Sequence, residues 1–100
     1  MVSVSYAGNW IQLDVYPLQT NVTTVRCNYI ASQTIGCVFT YDTVRWLEQY
    51  TVNGRSITQV QHPLYENFTG KLNENGIIVW YIDGGKIPTY WKRTGNACNK

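Results

Sequence analysis

Turn-forming residues punctuate the chain about every ten positions, and this rhythm constrains the fold more than any other feature. Asn53-Gly54 separates Trp46–Val52 from Arg55–Gln61. It is the strongest short hairpin signal, because both residues tolerate φ > 0. Ala31-Ser32-Gln33-Thr34 separates Val22–Ile30 from Ile35–Tyr41, and Asn73-Glu74-Asn75-Gly76 separates Phe68–Leu72 from Ile77–Ile82. Asp83-Gly84-Gly85-Lys86 then separates Ile77–Ile82 from Ile87–Arg93. Upstream, Trp10–Tyr16 alternates, with Ile11, Leu13 and Val15 on one side and Trp10, Gln12, Asp14 and Tyr16 on the other. Pro17 has no donor for a ladder and ends that run. Only Asp42–Tyr50 could make a helical turn, and the Asn53-Gly54 signal after it favours a strand.

The side chains agree with the turns. Val, Ile and Thr supply 29 β-branched residues, against 9 Leu, Ala and Met together. Branching at Cβ costs freedom in a helix and packs well on a pleated sheet. The expected fold is all-β: an antiparallel meander of about eight short strands. Closure removes the two exposed edges of a meander, so a small closed or nearly closed barrel is expected. A two-sheet β-sandwich is the alternative, and periodicity does not separate the two. One hundred residues make one domain, 1–100, with 94–100 read as a polar tail.

Gly8-Asn9-Trp10 opens the first good strand. This resembles the Gly-x-Trp opening of lipocalin- and avidin-type barrels. The resemblance implies a closed meander in which a basic residue of the last strand, Lys92 or Arg93, packs over Trp10 near the closed end. It covers two short ends of the chain and carries over no ligand.

Cys27 and Cys37 lie ten positions apart across the predicted hairpin at Ala31–Thr34, close enough to pair as a disulfide. Cys98 is then left over and could link two chains, or pair with one of the others. Cysteine content and the acceptor triplets at Asn21 and Asn67 point to a secreted protein with two candidate glycosylation sites. Met1–Ser5 lacks the features of a signal peptide. No apolar run is long enough for a membrane span.

Charge narrows the function. The net charge is +2 and only 14% of residues are charged, too weak a basic excess for a nucleic-acid binder. His62 is the single histidine and no catalytic motif surrounds it, so no enzyme is expected. Six scattered carboxylates make no convincing acid–base pair. No metal template or cofactor motif appears, and Asn73–Gly76 reads as a turn rather than a calcium loop.

Aromatic residues are the informative set: 4 Trp and 8 Tyr exceed what a small core needs. Adjacent pairs Trp80-Tyr81 and Tyr90-Trp91 place one ring on each face of a strand. Trp10 and Trp46 share faces with Gln12, Asp14 and Glu48. Rings beside amides and carboxylates suit sugars, whose C–H faces stack while their hydroxyls are hydrogen-bonded. The expectation is a secreted, non-enzymatic carbohydrate-binding module, a small lectin. Its expected ligand-binding residues are Trp46, Asn53, Tyr81, Asp83 and Trp91, and its partner a glycan or glycoprotein. Oligomerisation would add avidity. The alternatives are a small apolar-ligand carrier barrel, or a protein-binding secreted factor such as a protease inhibitor or effector. Cross-strand aromatic ladders that merely stabilise the sheet would use the same rings.

Overall fold

A computed structural model describes residues 5–14, 22–60 and 68–96. Eight antiparallel strands follow the chain: β1 (Gly8–Asp14), β2 (Thr23–Ala31), β3 (Thr34–Tyr41), β4 (Val44–Asn53), β5 (Ser56–Gln59), β6 (Phe68–Leu72), β7 (Ile77–Ile82) and β8 (Gly85–Asn96). Each pairs with its neighbours in sequence, and β8 closes on β1, giving an up-and-down barrel. The expected meander and its closure are therefore observed, and the sandwich is excluded. Asp42–Tyr50 is a turn leading into β4, not a helix.

Turn chemistry sets the register. In the β7–β8 hairpin Asp83 and Gly84 have φ of 51° and 86°, the paired positive angles whose twist matches that of the flanking strands. β8 is longer than expected. Thr94–Asn96, read from sequence as the start of a tail, belong to this strand. Gly8 and Asn9 of β1 pair with Asn96 and Gly95, past a register shift at Asn9/Trp10.

Alternation directs every second side chain inward. Val25 and Cys27 of β2, Ile35, Cys37 and Phe39 of β3, Tyr50 of β4 and Ile57 of β5 are buried. Ile78 and Trp80 of β7 and Trp91 of β8 complete the wall's inner lining. Cys27 and Cys37 stand directly opposite each other and form the expected disulfide, with Cα atoms 4.1 Å apart. Gly70 on β6 makes the interior possible. A Cβ there would lie 2.6 Å from Ile78 Cγ2 and 3.0 Å from both Ile57 Cγ2 and Trp80 Cη2. The missing side chain is the space that Trp80 occupies.

One end of the barrel is plugged. Tyr6 lies under the β4–β5 turn and donates its hydroxyl to Gly54 O at 3.0 Å. Trp10 donates Nε1 to Tyr6 O at 2.9 Å. Arg93 lies over the Trp10 ring, 4.2 Å from its centroid, and donates to Ala7 O at 2.8 Å and to Ser5 O. Of the two basic residues placed by resemblance, Arg93 takes this position, and Lys92 is exposed. Burial lowers the Arg93 pKa, so the ring face and two carbonyls offset part of its lost hydration.

Candidate functional site

The opposite end carries the turns of Asp42–Thr43 and Asp83–Gly84 and opens into a pocket of about 160 Å³. Its lining comes from inward positions of seven strands. Gln12 is on β1, Phe39 on β3, Trp46, Glu48 and Tyr50 on β4, Gln59 on β5, Phe68 on β6, and Thr89 and Trp91 on β8, with Trp80 of β7 at the base. At ~30 Å³ per water, the space equals about five water molecules. It takes one compact ring, not a chain.

Aromatic packing forms the walls and floor. Phe39 and Trp46 are directly opposite across β3–β4 and stack with centroids 5.3 Å apart and planes at 5°. Trp46 remains 38% exposed, so this stack is the accessible wall. Below it, Trp91 and Trp80 meet at 4.7 Å, and Tyr50 stands edge-on to Trp91 at 6.0 Å. Phe68 closes against Trp80 at 5.2 Å. Such tilted and edge-on contacts fill the barrel axis with rings.

Polar groups are interleaved with these rings and fixed by them. Trp91 Nε1 donates to Gln12 Oε1 at 3.0 Å. Gln59 is buried and donates Nε2 to Glu48 Oε1 at 2.9 Å. These bonds orient both amides. They leave the Gln12 amide nitrogen, the Gln59 carbonyl oxygen and the second Glu48 oxygen as the array's further capacity. Burial, and then the Glu48 carboxylate, push the Tyr50 phenol far above its usual range. Its hydroxyl stays protonated at any physiological pH. Trp80 contributes the most telling atom. Its Nε1 is buried and has no acceptor among the described residues, although the ring lines the pocket. A buried unpaired donor costs about 1–3 kcal/mol.

The five residues expected from sequence do not form one site. Trp46 and Trp91 do come together in this pocket. Trp91, however, is an interior residue only 2% exposed, and its neighbour Tyr90 takes the outer face. Tyr81 is on the outer wall, with Lys71 Nζ 5.2 Å from its ring centroid. Asp83 is in the rim turn beside the mouth but outside the pocket lining. Asn53 is the last residue of β4, opposite Ser56 at the plugged end and outside the turn of Gly54 and Arg55, a strand's length from Trp46. Asn21, Asn67, His62 and Cys98 lie outside the described residues.

Gln12, Phe39, Glu48, Tyr50, Gln59, Phe68, Trp80 and Thr89 were not singled out as ligand-binding from sequence. The signal for two of them was legible, since Trp46-Leu47-Glu48 and Trp10-Ile11-Gln12 put a polar residue on an aromatic face. Among the described residues no group of three or more His, Cys, Asp or Glu could hold a metal. Asn73 Oδ1 accepts from Asn75 N at 2.9 Å and Ile77 N at 3.1 Å, so its oxygen serves the turn. Among the described residues no helix is long and apolar enough to cross a membrane. Comparisons with protein families, with curated proteins and with solved structures gave no match.

Proposed function

We propose that this protein is a secreted, non-enzymatic carbohydrate-binding module, and that the barrel mouth is its site. The observation that carries the reading is the lining of the pocket. An accessible Phe39–Trp46 stack stands beside oriented amides, a carboxylate and the unpaired Trp80 N–H. A pyranose presents an apolar C–H face to the rings, and its hydroxyls both donate and accept. It uses the donor of Gln12, the acceptors of Gln59 and Glu48, and the N–H of Trp80 together. Secretion is supported by the Cys27–Cys37 disulfide, which persists in an oxidising compartment.

A carrier of extended apolar ligands fits the geometry less well. It needs an empty interior, and here Trp10, Trp80, Trp91, Tyr50 and Phe39 occupy it. An aliphatic chain would also leave the Trp80 N–H unpaired. The pocket's size limits recognition to a single sugar residue, and one such site binds weakly, with avidity left to several copies.

A glycan array at neutral pH, run with and without a calcium chelator, tests the reading. Binding to a terminal sugar that survives chelation, and is lost in Trp46→Ala with an unchanged melting temperature, is the expected result. Absence of binding across the array overturns it.

A further inference from the structure

A second concavity lies on the outside of the wall and is larger than the mouth. It encloses about 520 Å³ over the outer faces of β1 to β4 and β8. Outward side chains form a row across it: Thr94 of β8, Asn9 of β1, Thr24 and Arg26 of β2, Val38 and Thr40 of β3, and Arg45 of β4. Register brings these groups together. Asn9 is opposite Arg26, Arg26 opposite Val38, and Thr40 opposite Arg45.

Arg26 and Arg45 therefore flank β3 from its two sides, offset by two residues. Two strand spacings and that offset put their Cα atoms about 12 Å apart. Two guanidinium groups on long stems at that spacing can close on one ligand from opposite sides. Among the described residues no acidic side chain lines the groove and neither arginine is held in an ion pair. Two of the chain's four arginines stand in this groove. The other two are committed: Arg93 lies over Trp10, and Arg55 donates to Leu72 O and Asn73 O. Val38 gives the floor a small apolar patch, and Thr24, Thr40, Thr94 and Asn9 add hydroxyl and amide groups around the cations.

We propose that this groove is a binding site for a small anionic ligand, a sugar-sized molecule bearing a phosphate or sulfate group. Arg26 and Arg45 take the anionic group by charge-assisted hydrogen bonds, which guanidinium forms in bidentate geometry with such oxyanions. The threonine hydroxyls and Asn9 take the remaining polar atoms. The site is independent of the mouth, because the barrel wall, with Trp10 and Val25 in it, lies between them.

Amide chemical shifts of the labelled protein, followed with glucose 6-phosphate, glucose 6-sulfate and uncharged glucose, test the proposal. The expected result is saturable shifts at Asn9, Thr24, Arg26, Thr40 and Arg45 with one or both charged sugars. Glucose leaves these amides unmoved. The phosphate and sulfate arms tell which oxyanion is preferred. R26Q/R45Q weakens this binding by roughly tenfold or more, as the loss of two charge-assisted contacts requires. The same variant keeps the wild-type melting temperature and the wild-type response of Trp46 to any sugar bound at the mouth. Shifts absent with both charged sugars, or unchanged in R26Q/R45Q, overturn the proposal.

Discussion

Three residues show how far single positions decide this barrel. Gly70 is where the interior is tightest, since a methyl group there meets Ile78, Ile57 and Trp80 at or below 3.0 Å. Gly70→Ala should lower stability by about 1–3 kcal/mol, the usual cost of overpacking a filled core, as read by urea denaturation. Tyr6 and Tyr50 set the alkaline limit. Burial pushes the Tyr6 phenol up to about 12 and raises Tyr50 further still, from an ordinary value of 10.0. The unfolded chain ionises both near 10, so folding holds protons the unfolded chain releases. Their contribution is complete below pH 10 and is lost as pH rises through about 12. Stability followed by denaturant melts from pH 8 to pH 12 should fall above about pH 10. Tyr6→Phe should make that fall shallower, apart from a constant offset for the lost bond to Gly54 O.

At the scale of elements, the sequence was most legible where turns are short. Asp83-Gly84 fixes its hairpin by paired positive backbone angles, and Gly54, with φ of 59°, turns the β4–β5 hairpin together with Arg55 while Asn53 stays in the strand, so β4, β7 and the starts of their partners were readable before any packing was considered. Cys27 and Cys37 were readable for the same reason, since positions symmetric about a turn must face each other. Reduction of this disulfide, or C27A/C37A, should cost roughly 2–3 kcal/mol for a loop this short. A thermal melt with and without reductant checks it. What resisted reading was the direction of each face. Trp46, Glu48 and Tyr50 alternate with Arg45, Leu47 and Gln49, and hydrophobicity favours neither set clearly. Closure decides the matter. A barrel turns its narrow interior to rings, even beside carboxylates, and leaves Leu47 and Ile30 59% and 60% exposed outside. Hence Trp91 went inside and Tyr81 outside, and Asn53 was parted from Trp46 by the length of β4.

Among the described residues, the barrel has one plugged end, a filled waist and one end that holds a pocket with polar groups in its lining. Tyr6, Trp10 and Arg93 seal the first, the aromatic cluster fills the second, and Gln12, Glu48 and Gln59 line the third. Closure through β1 and β8 predicts that amides of these terminal strands resist hydrogen exchange like those of β3, because none is an edge. Exchange from β1 and β8 at loop-like rates would mean an open sheet.

The central claim is that the mouth receives a hydroxylated ring. The indole N–H resonances of the four tryptophans test it most directly. Trp10 and Trp91 already donate to Tyr6 O and Gln12 Oε1, while Trp80 has no acceptor among the described residues. Titration with glucose, galactose, mannose and N-acetylglucosamine in turn should move the Trp80 and Trp46 signals with at least one sugar. The Trp80 shift should run in the direction of a newly formed hydrogen bond, and Trp10 should stay in place. If none of these sugars moves Trp80 or Trp46 at millimolar concentration, the mouth is not a sugar site.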